Sequence, residues 1–112
     1  MALGPAVQEK KVLVVDDEKL VSIDLRKIIN SEGHDVITTQ NGIDAARVVE
    51  DSNIDLVFLD LMLPDITGVE VLKEIKKMKS KLPVVIITGY TDSEVMNQAL
   101  ELGPISVLKK TV

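Results

Sequence analysis

The chain has 112 residues, enough for one hydrophobic core and too few for a second independently folding unit. Its 46% hydrophobic and 28% charged residues exclude a disordered or fibrous chain, and a net charge of −5 without a basic stripe argues against autonomous nucleic-acid binding. The absence of cysteine excludes a disulfide framework and a thiolate metal site, a composition compatible with the reducing cytoplasm.

Residues 1–10 read as a flexible lead-in. Met1 to Gln8 lacks the charged start and apolar stretch of a secretory signal, and no apolar run approaches the ~20 residues needed to span a bilayer. From Lys11 the pattern alternates between short aliphatic runs and amphipathic stretches. Val12-Leu13-Val14-Val15 is a continuous apolar run ending in Asp16-Asp17, as expected of a central strand covered on both faces. Val21, Leu25, Ile28 and Ile29 fall at the spacing of one helix face, and Gly33 is placed to end that helix. His34 follows in a turn and is assigned no role.

Asp35 to Thr39 is a β-branched strand, and Asn41-Gly42 opens a second helix through Ala45, Ala46, Val48 and Val49. Leu56-Val57-Phe58-Leu59 runs into Asp60, after which Pro64 bars immediate helix formation. Thr67-Gly68-Val69-Glu70 has the form of a capping box, starting a third helix expected to bury Val71, Leu72, Ile75 and Met78. The lysines between Lys73 and Lys81 form its solvated face. Val84-Val85-Ile86-Ile87 is a fourth buried strand ending at Thr88-Gly89, and Thr91 to Glu94 supplies a second capping box. Val95, Met96, Ala99 and Leu102 give the fourth helix its buried face, Gly103 stops it, and Ile105 to Leu108 form a fifth strand ending in Lys109-Lys110. Aromatics are limited to Phe58 and Tyr90, so aliphatic side chains must fill the core. Strands alternating with helices predict an α/β fold, a parallel sheet with helices on both faces and its ligand site beyond the strands' carboxyl ends.

Those ends carry Asp16-Asp17, Asp60, Thr88 and Lys109-Lys110. Carboxylates held together repel one another, which raises a pKa or calls for a cation, and Mg²⁺ with its oxygen ligands meets that need, with Mn²⁺ an alternative. Flanked by a metal and an ammonium, one carboxylate could attack an incoming phosphoryl group, whose transfer needs mainly positioning and charge neutralisation. The Thr88 hydroxyl would then hydrogen-bond a phosphoryl oxygen, and Gly89 leaves the group room to approach. Tyr90 either edges the pocket or lies on the surface.

From Lys11 onward the chain resembles the receiver domains of two-component response regulators. The resemblance rests on Val15-Asp16-Asp17-Glu18, on the run Leu59-Asp60-Leu61-Met62-Leu63-Pro64-Asp65-Ile66-Thr67-Gly68, and on Ile87-Thr88-Gly89-Tyr90. It implies a doubly wound, flavodoxin-like sheet of order 2-1-3-4-5. It further implies Asp60 as the phosphoacceptor, with Mg²⁺ held by Asp17, Asp60 and the backbone carbonyl of Met62, and by Asp16 mostly through a metal-bound water. Thr88 matches the family's switch hydroxyl. Counting from Gly103 without a gap assigns the family's lysine to Lys110; a loop one residue shorter would assign Lys109.

The implied function is to accept a phosphoryl group from a sensor histidine kinase or phosphotransfer protein and to signal by changing conformation, with no separate substrate turned over. Three positions depart from the family. Thr111 replaces the proline that usually follows the lysine, so the peptide bond commonly cis there is expected to be trans. Val107 stands where an aromatic usually rotates, and the chain ends where the family's fifth helix would begin. That last departure leaves the sheet face shared with the first helix uncovered, a surface for homodimerisation or a partner. Two rivals differ in class. A phosphohydrolase with an aspartyl-phosphate intermediate is disfavoured by Met62, where such enzymes place a second acid; a pseudo-receiver that binds without phosphorylation is disfavoured by the full acidic pocket.

Overall fold

The alternation of apolar faces along the strands decides how the layers form. The computed structural model describes residues 8–89 and 94–110. Its elements are β1 (Lys11–Val15), α1 (Lys19–Ser31), β2 (Asp35–Thr39), α2 (Gly42–Asp51), β3 (Leu56–Asp60), α3 (Gly68–Met78), β4 (Val84–Thr88), α4 (Glu94–Glu101) and β5 (Ser106–Lys109). All strand pairs are parallel, in the order β2-β1-β3-β4-β5. The order and the four crossover helices agree with the expected doubly wound sheet.

Successive strand residues point to opposite faces, and both faces of β1 are apolar. Leu13 and Val15, with Val57, Leu59, Val84 and Ile86, enter a large cluster completed by Ala45 and Val49 of α2, Val71, Leu72 and Ile75 of α3, and Met96 and Ala99 of α4. Val12, Val14 and Val36 enter a smaller cluster on the other face, against Leu25 and Ile29 of α1. Burial of each such Val, Leu or Ile contributes about 1.5–3 kcal/mol, so the heavier side of the sheet carries most of the stability.

On the lighter side a groove of about 240 Å³ opens between α1 and β5, lined by Val21, Leu25, Ile87 and Leu108 with Asp24, Lys109 and Lys110. Leu20, Ile23 and Leu108 are exposed. Among the described residues no helix is long and apolar enough to cross a membrane.

Local chemistry sets the helix ends. Gly33, at φ 90°, ends α1 in a Schellman arrangement: its N–H donates to Asn30 O (3.0 Å) and the N–H of His34 to Ile29 O (3.3 Å). His34 Nδ1 accepts the Lys10 N–H at 3.1 Å, pinning the approach to β1. Asn41 caps α2 by accepting the Asp44 N–H at 2.8 Å, and Thr67 caps α3 by accepting the Glu70 N–H at 3.3 Å. The expected second capping box, Tyr90 and the Lys110–Thr111 peptide bond lie outside the described residues.

Two expected core positions are corrected. Ile28 is 61% exposed, because the inward stripe of α1 runs through Ser22, Leu25 and Ile29 and leaves Ile28 about 100° off it. Met78, the last residue of α3, is exposed, and Ile75 three residues earlier is the last of that face to enter the core cluster.

Candidate functional site

Parallel pairing lines up the strand ends, and the register fixes which residues meet. Val15 pairs with Leu59, so Asp16 and Asp60 follow side by side. Asp60 pairs with Ile87, which sets Thr88 one step beyond it, and Thr88 pairs with Lys109, which leaves Lys110 at the rim. Carboxylate oxygens of Asp16, Asp17 and Asp60 all lie within 4.8 Å of one another; Asp16 and Asp60 are buried and Asp17 is exposed.

Lys110 is the cation of this cluster. Its Nζ lies 2.9 Å from Asp16 Oδ2, 2.8 Å from Glu18 Oε1 and 3.0 Å from Asp60 Oδ2, with its side chain only 13% exposed. Its backbone N–H donates to Thr88 O at 2.8 Å, extending the β4–β5 ladder by one residue. Lys109, which pairs with Thr88 as the last residue of β5, is exposed, and it lines the rim of the groove beside α1 together with Leu108 and Lys110.

Backbone donors fix the acids. Asp16 Oδ1 accepts the Glu18 N–H at 2.9 Å, and Asp60 Oδ1 accepts the Met62 N–H at 3.2 Å. Thr88 is fully buried, and a Cβ placed on Gly89 would meet nothing within 4 Å, so there is space beside the Thr88 position.

The electrostatics follow from one cation among several acids. Burial raises the pKa of Asp60, and the nearby Asp16 adds to the rise, against the lowering by Lys110 and the Met62 N–H. Burial also works against the Lys110 ammonium, but Glu18, Asp16 and Asp60 more than offset it and hold the group charged well above the ordinary lysine range. The cation gains from every carboxylate while the surplus acid is disfavoured, and hard oxygen donors in that condition fit a divalent cation such as Mg²⁺.

Two contributors escaped the sequence reading. Glu18 stands in the quoted acidic motif but was given no role, although its place on the same loop as Asp16-Asp17 was the available signal. Asp65 accepts the N–H groups of Gly42 (2.9 Å) and Ile43 (3.0 Å), tying the segment after Asp60 to the start of α2. Those backbone donors, Gly42 foremost, hold its carboxyl below the usual range. A helix start with unsatisfied donors was the signal there.

Residues 12–112 match the family model for the response regulator receiver domain. Sporulation initiation phosphotransferase F of Bacillus subtilis is 32% identical over 93% of this chain and 84% of its own length. The alkaline phosphatase synthesis transcriptional regulatory protein PhoP of the same organism is 36% identical over 90% of this chain, which spans 42% of that protein. Among solved structures, a receiver domain from Methanospirillum hungatei superposes with a TM-score of 0.88 at 26% identity, covering 94% of this chain and 84% of that one. TrrA of Thermotoga maritima, in complex with Mg²⁺-BeF, gives 0.79 at 33% identity, covering 91% and 87%.

Proposed function

This chain belongs to the response regulator receiver domain family, the signalling modules of two-component systems, and we propose that Asp60 is its phosphoacceptor, working with Mg²⁺. The carrying observation is one geometry: a buried carboxylate at the end of β3, 3.0 Å from the Lys110 ammonium and sharing a 4.8 Å cluster with Asp16 and Asp17.

In this reading an Asp60 oxygen attacks the phosphorus of a phosphohistidine, the P–N bond breaks, and the imidazole leaves with the electron pair. The acyl phosphate so formed is later hydrolysed by water to inorganic phosphate and the free carboxylate. Asp17, Asp60 and the Met62 carbonyl would hold the metal directly, and Asp16 mostly through water. When bound, the metal neutralises charge on the phosphoryl oxygens. Lys110 offers its ammonium to a phosphoryl oxygen, and Thr88 its hydroxyl. The Mg²⁺-BeF complex of TrrA supports the metal assignment.

The donor is a sensor histidine kinase or a phosphotransfer protein, and the domain's own chemistry is confined to gaining and losing this group in the cytoplasm. Phosphorylation shifts the population toward a signalling conformation. Val107 packs against the main core cluster, so that shift proceeds here without a rotating aromatic at that position.

Intact mass after incubation with acetyl phosphate and Mg²⁺ tests the assignment. The parent should gain one phosphoryl group and Asp60→Ala none. A folded parent without an adduct would favour the pseudo-receiver reading, and an adduct on both proteins would move the acceptor elsewhere. The groove lined by Val21, Leu25, Ile87 and Leu108 supports a homodimer across that face. Light scattering should then show a concentration-dependent dimer that Leu108→Asp dissociates; a monomer at all concentrations would exclude it.

A further inference from the structure

Three carboxylates hold Lys110, and they are not equivalent. Asp16 and Asp60 are buried, and each has its other oxygen fixed by a backbone N–H. The Glu18 side chain is 60% exposed yet makes the shortest of the three contacts, 2.8 Å. Glu18 is the N-cap residue of α1 but makes no side-chain cap bond there; its carboxylate reaches instead to the far end of the chain.

An ammonium has three N–H donors, and three carboxylate oxygens surround this one. Lys110 donates hydrogen bonds to Glu18 and Asp60 and lies at ion-pair distance from Asp16, so a phosphoryl oxygen on Asp60 takes over the Asp60 contact and competes with the other two carboxylates for the ammonium. Asp16 is buried and would be left unpaired away from water, at high cost. Glu18 needs only a side-chain rotation to exchange the ammonium for solvent.

We propose that Glu18 is a positioning residue that latches Lys110 in the unphosphorylated domain and releases it to the incoming phosphoryl group, so that the latch sets how fast the domain is charged. The proposal rests on the reading of Asp60 as phosphoacceptor. Charging by acetyl phosphate forms the Asp60 O–P bond and breaks the bond from phosphorus to the acetyl oxygen, and acetate leaves with the electron pair. Lys110 keeps all its protons and Glu18 changes only its contacts. Glu18 also stands as a negative charge on the approach of an anionic donor, which slows charging in the same sense.

The full chain and its Glu18→Gln and Glu18→Ala variants are compared at saturating Mg²⁺, reading phosphorylation by acetyl phosphate from intact mass and the dissociation constant of beryllofluoride. Both variants should be charged about two- to fivefold faster and bind beryllofluoride tighter by a similar factor, the range given by an ion pair with one exposed partner. The ratio of Glu18→Gln to parent should fall toward one in 1 M salt, where the Debye length is about 3 Å, a dependence that a merely structural role would not produce. Proton exchange of the Lys110 ammonium, followed by NMR, should quicken in both variants. Equal or slower charging of the variants beside a normally phosphorylated parent overturns the latch alone. If no chain accepts phosphoryl or beryllofluoride, the phosphoacceptor reading fails and the latch with it.

Discussion

Lys110→Met should lose about 3 kcal/mol of stability at pH 7 in urea unfolding, because it leaves the buried carboxylates of Asp16 and Asp60 facing each other without their cation. Against a typical total of about 5–15 kcal/mol that loss is large. The methionine keeps most of the lysine stem's packing, so the deficit reports charge rather than a cavity.

Two additions should restore part of it. Asp60→Asn in the same background removes one of the stranded charges, and Mg²⁺ stabilises the native state by binding it preferentially.

The pH dependence has a definite sign. Burial holds the folded-state pKa of Asp60 above its unfolded value even with Lys110 present, and the substitution removes the groups that lower it. The folded variant therefore takes up a proton at a pH where the unfolded chain has already released its own. That contribution favours folding in acid and is lost as pH rises through the folded-state pKa, so the deficit is larger at pH 7 than in acid. Phosphorylation should also slow by about 10²–10³-fold, the usual effect of removing one donor from a developing oxyanion. A stability loss below about 1 kcal/mol would show that the cluster behaves as a surface ion pair and would undo the electrostatic account.

Much of this site was legible because parallel strands deliver their last residues to one edge. The apolar runs before Asp16, Asp60, Thr88 and Lys109 needed no tertiary information to be read as strands, and their alternation with helices dictated a common edge for their ends. The choice between Lys109 and Lys110 was different. It depends on which face of β5 turns toward Asp60, a matter of one residue of register that β5, apolar only at Val107 and Leu108, hardly encodes.

Helix faces failed where the periodic pattern was broader than the contact. Ile28 belongs to the apolar side of α1, but the sheet beneath accepts the stripe through Ser22, so a serine is buried and an isoleucine is not. Glu18 was missed because it lies past the strand end, on the loop into α1, and only the residues at the strand ends themselves were brought to the common edge. Its carboxylate nonetheless reaches the same ammonium from that loop.

Gly68 shows how tightly the backbone around Asp60 is drawn. Its N–H donates to Leu61 O at 2.8 Å, closing the segment between β3 and α3, and this brings its Cα against the strand end. A Cβ there would overlap the carbonyl oxygen of Asp60 and lie 2.6 Å from Leu61 Cα. Alanine suits a helix interior better than glycine by about 1 kcal/mol, but the obstructing atoms are backbone, which cannot rotate aside.

Gly68→Ala should therefore cost about 3 kcal/mol, the upper part of the usual range for overpacking. The strain falls on the peptide that carries the phosphoacceptor, so phosphorylation should drop by about 10²-fold even in protein that remains folded, the effect of misplacing a reacting group by about 1 Å. Gly42→Ala is the control. Its Cβ would meet only side-chain atoms of Ile66 and Val71, which can shift, so urea unfolding should show a smaller loss and intact mass a nearly normal rate. If Gly68→Ala proves no worse than Gly42→Ala in either measurement, Asp60 is not held by this close approach, and the capping of α3 by Thr67 would have to account for its position.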